Sequence, residues 1–195
     1  MTGQLEDDRT AVRRSPLAMA VLLLLAAEPL HPYGLRQRLV EWDKDRVVNV
    51  SQPNAIYQTI QRLQRSGLIE VHETVRHDKR PERTTFRTTE RGVQLSTAWV
   101  REMLRTPAGE YPEFPAALSF LAAIPRADAV EALRERLATS EQNLAAFVAE
   151  TDARVAALED PLDPVHLIDT DYQQTMATAE IAWLRRQLAA LEPRG

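Results

Sequence analysis

The chain has 195 residues, 44% of them hydrophobic and 27% charged, with six glycines, twelve prolines and no cysteine. That is ordinary globular composition with room for one large domain or two small ones; it excludes collagen-like and low-complexity chains, and the lack of cysteine excludes disulfides, thiol nucleophiles, iron–sulfur clusters and thiolate zinc sites. The net charge of −4 is uneven: residues 1–105 carry 17 Lys and Arg against 13 Asp and Glu, residues 106–195 carry 7 against 15, so contact with a polyanion is expected of the first half alone.

Residues 1–14 read as a flexible N-terminal segment. The apolar run at 17–27 is about half the ~20 residues that cross a bilayer, and the acid-rich stretch at 4–9 ahead of it argues against a signal peptide. The pattern therefore predicts a buried helix over 15–30, with Pro16 in its first turn and Pro29 at its end. A short amphipathic helix follows over 32–42, with most of Tyr33, Leu35, Leu39 and Trp42 on one face. After a polar loop at 43–50, Ser51 can cap a third helix with Pro53 in its first turn. Ile56, Ile60 and Leu63 form its inner stripe, Asn54, Gln58, Gln61, Arg62 and Arg65 lie away from it, and Gly67 ends it in a left-handed conformation.

Leu68, Ile69 and Val71 open a strand, residues 83–88 form a second with Phe86 inward, and HDKRPER between them has the composition of an exposed hairpin tip. Thr88 or Thr89 can cap a long helix through Val93, Leu95, Trp99, Val100, Met103 and Leu104. The proline-rich stretch 106–115 reads as a linker. Beyond it come a short apolar helix over 116–124, a long one over 126–158 and, after a gap at 160–164, a last one over 165–191. The apolar stripes of these helices, including Phe147, Val155, Trp183, Leu184, Leu188 and Leu191, exceed what one helical hairpin buries, which points to a homodimer through this region. The expectation is a mainly α protein with a winged helix-turn-helix domain at 15–105, a linker at 106–115 and a helical dimerisation domain at 116–195.

Three helices followed by a hairpin with a basic tip is the element order of the winged helix, in which the third helix enters the DNA major groove and the hairpin lies along the backbone. Gln52, Asn54, Gln58 and Gln61 carry amides able to read base edges, and Arg62 and Arg65 would sit near phosphate. Arg76, Lys79, Arg80, Arg83 and Arg87 supply five cations in the hairpin for the flanking phosphates. Tyr57 fits either a phosphate hydrogen bond or packing beneath the hairpin. The competing reading of these faces is plain solvated surface. Trp99 and Trp183 can line an aromatic effector pocket or serve as packing. No histidine pair has metal-ligand spacing, and His166, Asp169 and Asp171 read as a polar helix start, so neither metal nor cofactor is expected.

No phosphate-binding loop, nucleophile elbow or HExxH motif is present in the sequence, and an enzyme is not expected. Readings from other classes are a winged-helix protein-interaction module and a cytosolic carrier of an aromatic ligand. The strings NAIYQTIQRLQRSGLIEV and RPERTTFRTTERG, with LLLLAAEPLHPYGLRQRL upstream, resemble the PadR family of bacterial transcriptional regulators. The match rests on Pro53, Ile56, Tyr57, Leu63, Gly67, Leu68, Ile69, Arg80, Pro81, Phe86, Thr89 and Gly92, with Leu30, His31, Tyr33 and Leu35 in register. The resemblance implies a cytoplasmic homodimeric regulator of double-stranded DNA, usually a repressor at an inverted-repeat operator, that responds to a small aromatic or hydrophobic effector.

Overall fold

A computed structural model describes residues 12–50, 52–77 and 80–191, apart from the side chains of residues 53 and 75–83. In chain order the elements are α1 (Pro16–Ala27), α2 (Pro32–Glu41), a 3-10 turn (Lys44–Arg46), α3 (Pro53–Arg65), β1 (Ile69–His77), β2 (Arg80–Thr88), α4 (Glu90–Arg105), α5 (Glu113–Ser119), a 3-10 turn (Leu121–Ala123), α6 (Arg126–Ala156), a 3-10 turn (Pro164–Leu167) and α7 (Ile168–Leu191). They form two compact units, Met1–Gly109 and Glu110–Gly195. The expected mainly helical fold, winged at the front and helical behind, is present. No helix among the described residues is long and apolar enough to cross a membrane.

In the first unit α1 is the hub. Ser15 caps it by accepting the Ala18 N–H at 3.1 Å, and being apolar on most sides it buries Ala18, Val21, Leu22, Leu24 and Leu25 against α3, α4 and β2. Leu35 and Leu39 of α2, Ile56, Ile60 and Leu63 of α3, Phe86 of β2 and Trp99 of α4 complete this core. The expected inner face of α2 is narrower than its spacing suggested. Tyr33 is 60% exposed and Trp42 47% exposed, the latter lying under the Arg38 guanidinium at 5.3 Å. α2 is capped by His31, whose Nδ1 accepts the Gly34 N–H at 2.6 Å.

The turn after α3 is set by Gly67, whose φ of 66° is open to glycine and costly for other residues. The Leu68 N–H then donates to the Leu63 carbonyl at 3.0 Å and the Gly67 N–H to that of Gln64 at 2.9 Å, the paired bonds of a Schellman end. At the other end Gln52 occupies the cap position with no side-chain cap bond; Ser51, the expected cap, lies outside the described residues. β1 and β2 form an antiparallel ribbon in register Ile69 with Thr88, Val71 with Phe86 and His77 with Arg80, shifted between Val71 and Glu73 and between Val75 and His77. β2 thus starts at Arg80, three residues ahead of the expected start. Proline is tolerated on the edge of a two-stranded ribbon, so Pro81 does not delay it.

The ribbon's base is held from two sides. Leu30 bridges to Phe86, with backbone bonds of 3.2 and 2.9 Å, and Thr88 Oγ1 donates to the Leu22 carbonyl at 2.6 Å. Thr89 then caps α4, accepting the Gly92 N–H at 3.2 Å.

In the second unit α6 and α7 run antiparallel, cross-linked by Arg136 to Glu180 at 2.8 Å and Arg185 to Glu141 at 2.6 Å. Val130, Leu133, Leu184 and Leu188 form the core, with Phe114 and Leu118 of α5 packed on it. Proline is accepted in a first turn, so α5 begins at Glu113, inside the stretch expected to be linker, and stops at Ser119 before a 3-10 turn. α6 ends two residues short of the expected boundary, and α7 begins at Ile168 because residues 164–167 take the tighter 3-10 geometry.

Candidate nucleic-acid interface

The outer face of α3 follows from its inner one. With Ile56, Thr59, Ile60 and Leu63 buried, residues half a turn away must face water. Asn54, Gln58, Gln61 and Arg65, spaced by four, three and four, share that face and are all exposed. Gln52 is exposed just ahead of the helix. Arg65 lies along the helix, its Nε donating to the Gln61 carbonyl at 3.3 Å. Arg62 is set apart from this group: it is half-buried, and its Nε is enclosed without a hydrogen-bond partner among the described residues.

Tyr57 lies on the flank of α3 and is 53% exposed. With Tyr33, His31 and Gln64 it lines an open cleft of about 500 Å³ that reaches Thr84 and Phe86 of β2. Tyr33, read from the sequence as a core residue, therefore presents its ring on the same side as the helix face and the ribbon. Its spacing from Leu35 and Leu39 carried no hint of this.

Of the expected hairpin cations, Arg80 and Arg83 stand on β2 opposite His77 and Val75. Their side chains, that of Arg76, and Lys79 as a whole lie outside the described residues. Arg87 is a correction: it faces Glu70 across the ribbon and bonds its carboxylate at 2.7 Å, so this cation is matched at the wing's base. Residues directly opposite in an antiparallel pair are within reach of each other, a pairing legible only once the register is known.

The other expected site residues fall in separate places. Trp99 is 8% exposed in the core of the first unit. Trp183 is half-buried in the second unit, edge-on to Phe114 with ring centroids 6.1 Å apart. Of the residues expected at a dimer interface, Phe147, Leu184 and Leu188 are already buried within one chain. Packing inside the chain consumes them, so they offer a partner no surface. Leu191 and Trp183 pack on the same core while half-buried, and Val155 is 39% exposed. What α7 leaves outside is Ile168, Tyr172 and Met176, each more than half exposed. Among the described residues no group of three or more His, Asp or Glu is arranged to hold a metal ion.

An exposed amide-bearing helix backed by a three-helix core and flanked by a ribbon defines the first unit as a winged helix. Residues 21–97 match the model of the transcriptional regulator PadR-like family, the family that its motifs resemble. No curated protein matches the chain. Among solved structures it is similar to Bacillus subtilis PadR in complex with operator DNA, at TM-score 0.73 and 18% identity over 91% of this chain and 100% of that one. It is likewise similar to the same protein in complex with p-coumaric acid, at TM-score 0.70 and 18% identity over 91% and 99%. The PadR-like regulator BC1756 from Bacillus cereus aligns at TM-score 0.65 and 18% identity over 93% and 99%. At that identity these likenesses establish the fold, and they extend it across both units.

Proposed function

We propose that the protein is a cytoplasmic, sequence-specific DNA-binding repressor that acts as a homodimer on an inverted-repeat operator. The observation that carries this reading is the exposed face of α3. Asn54, Gln58 and Gln61, with Gln52 ahead of them, present four amides and no apolar side chain where a major-groove helix needs hydrogen-bonding groups. Arg65 and Tyr57 flank that face as phosphate contacts, Arg62 contributes from its half-buried position, and Lys79, Arg80 and Arg83 carry the wing along the backbone. The Bacillus subtilis neighbour bound to operator DNA has the same fold.

In this reading residues 15–105 bind DNA, 106–115 connect, and 116–195 dimerise. The exposed apolar residues Ile168, Tyr172 and Met176 recur at intervals of four, so they share one side of α7, away from the buried Leu184 and Leu188, and Trp183, which packs on that core while half-buried, borders them. Val155 and Leu191 are kept in this interface from the sequence reading, Leu191 half-buried on the α6–α7 core and Val155 39% exposed near the end of α6. Two-fold pairing through it would supply the two α3 helices that successive major grooves, ~34 Å apart, require. A small aromatic or hydrophobic effector tunes the affinity; Trp183 keeps open surface for it, while Trp99 would contribute from the core. The fold shared with a p-coumaric acid complex supports that part.

The test selects duplexes from a random pool with the full chain, then measures the mass of the free protein by sedimentation. The expected outcome is an inverted-repeat sequence and a dimer. Recovery of random sequence, or a monomer bound to a single half-site, would overturn the reading.

A further inference from the structure

The cleft beside the ribbon, which Tyr33 and Tyr57 line, has a floor and walls of different chemistry. Its floor is apolar, made by Ile60 of α3 and Phe86 of β2, both buried. Its walls carry hydrogen-bonding groups: the phenols of Tyr33 and Tyr57, the amides of Gln61 and Gln64 and the imidazole of His31. Among its described lining residues there is neither a carboxylate nor a Lys or Arg.

His31 is fixed as a donor toward any ligand. Its Nδ1 accepts the Gly34 N–H at 2.6 Å, which only an unprotonated nitrogen can do, so in the neutral ring the proton sits on Nε2. Tyr33 stands beside it, 60% exposed, with the two rings 6.1 Å apart and inclined at 54°. A phenol in that setting keeps its ring against its neighbours and its hydroxyl in water. The start of α2 therefore adds two uncharged donors to a surface on which the sequence reading placed only α3 and the ribbon.

The position of the cleft decides what passes over it. Tyr57, Gln61 and Gln64, at intervals of four and three, form one flank of the amide face of α3, and Gln61 belongs to both. Arg62 stands on the other flank. A helix seated in a major groove about 12 Å wide has a sugar–phosphate strand on each side. DNA that brings base edges to Asn54, Gln58 and Gln61 must bring one of those strands past this cleft. Neutral donors suit phosphate oxygens, no carboxylate repels them, and the apolar floor suits the face of a deoxyribose.

We infer that the cleft seats one sugar–phosphate strand of the duplex, with the Tyr33 hydroxyl and the His31 Nε2–H donating to its phosphate oxygens alongside Tyr57. The inference rests on the DNA-binding reading and extends it to α2, adding contacts that carry no charge. That distinguishes them from the wing cations: they hold the strand without releasing counterions.

Fluorescence anisotropy of the full chain on the selected duplex and on a scrambled one, over a range of salt, reads the difference. Tyr33→Phe should weaken both duplexes about three- to tenfold, as one neutral hydrogen bond is lost. The slope of log K against log salt should stay unchanged, since no cation leaves the phosphates. His31→Asn keeps an oxygen able to cap α2 and removes the Nε2 donor, so it should repeat this pattern with the melting temperature held. Tyr111→Phe, at a residue 97% exposed in the second unit, should change neither affinity nor slope. Replacing the phosphates of the selected duplex one at a time by methylphosphonates locates the strand: at one position the parent should weaken and Tyr33→Phe should weaken no further. Affinity unchanged in both Tyr33→Phe and His31→Asn, a loss confined to the selected duplex, or no methylphosphonate position coupled to Tyr33 would overturn the inference and leave the DNA-binding reading standing. Failure of the parent chain to bind either duplex would overturn both.

Discussion

Replacing Gly92 by alanine sets two effects of opposite sign against each other. In an exposed helix the substitution stabilises by about 1 kcal/mol, because glycine has the greater backbone entropy to lose. Gly92, however, is buried in the first turn of α4. A Cβ there would stand 2.2 Å from the Leu68 carbonyl oxygen and 2.6 Å from Thr88 Cγ2. The carbonyl cannot simply swing aside, since it accepts the Thr89 N–H at 3.0 Å and the Thr89 hydroxyl at 3.1 Å. The start of α4 must therefore move off the turn between α3 and β1. Such overpacking costs about 1–3 kcal/mol, and losing the Thr89 cap adds about 1 kcal/mol. Against the propensity gain, the net expected loss is about 2 kcal/mol. Guanidinium unfolding of the full chain, followed by far-UV circular dichroism and by tryptophan fluorescence with Trp99 as the reporter in this core, measures it. A Gly92→Ala protein as stable as the parent would refute the close packing of α4 on the α3–β1 turn, and with it the way the helix face and the ribbon are held together.

Three further outcomes are expected. Asn54→Ala or Gln58→Ala should lower the preference for operator over random duplex by about 1–3 kcal/mol per lost base contact while leaving nonspecific affinity nearly unchanged; equal weakening on both duplexes would make these side chains positioning groups. Arg80→Ala and Arg83→Ala should each reduce the slope of log K against log salt by ~1, whatever the DNA sequence, and an unchanged slope would remove them from the phosphate contacts. The Glu102 carboxyl is held below the ordinary carboxylate value by hydrogen bonds from Arg105 and Thr106, with a smaller pull from Arg14. Its stabilising contribution is thus present at neutral pH and lost as pH falls through its lowered folded-state midpoint. Carboxyl NMR should find that midpoint below the ordinary glutamate value and find it raised in Arg105→Ala; a midpoint unmoved by that substitution would deny the pair.

Local rules carried the sequence reading furthest where one residue determines the backbone. Gly67 was legible as a left-handed end and Thr89 as a cap because each acts through bonds to its immediate neighbours. Tyr33, Trp42 and Arg87 were not, because their surroundings are set by residues distant in the chain. The helical spacing of Tyr33 and Trp42 matches that of Leu35 and Leu39, yet the core ends before it reaches them. Arg87 counted as a free cation until the ribbon's register set it against Glu70. In the second unit the apolar periodicity of α6 and α7 was plain, but periodicity does not say whether a stripe faces the same chain or another. Leu184 and Leu188 turn inward, whereas Ile168, Tyr172 and Met176, which the sequence did not single out as an interface, stay outside. The amide face of α3 was legible throughout, since burial of Ile56, Ile60 and Leu63 dictates what lies opposite.

The central claim is that this amide face reads DNA. Fluorescence anisotropy of the full chain on its selected duplex and on a scrambled duplex, titrated over a range of salt, tests it most directly. The account predicts affinity for both that falls linearly in log K against log salt, through release of counterions, with the selected duplex bound at least ~10³ more tightly. Equal affinity for the two duplexes, or binding that salt does not weaken, would contradict it.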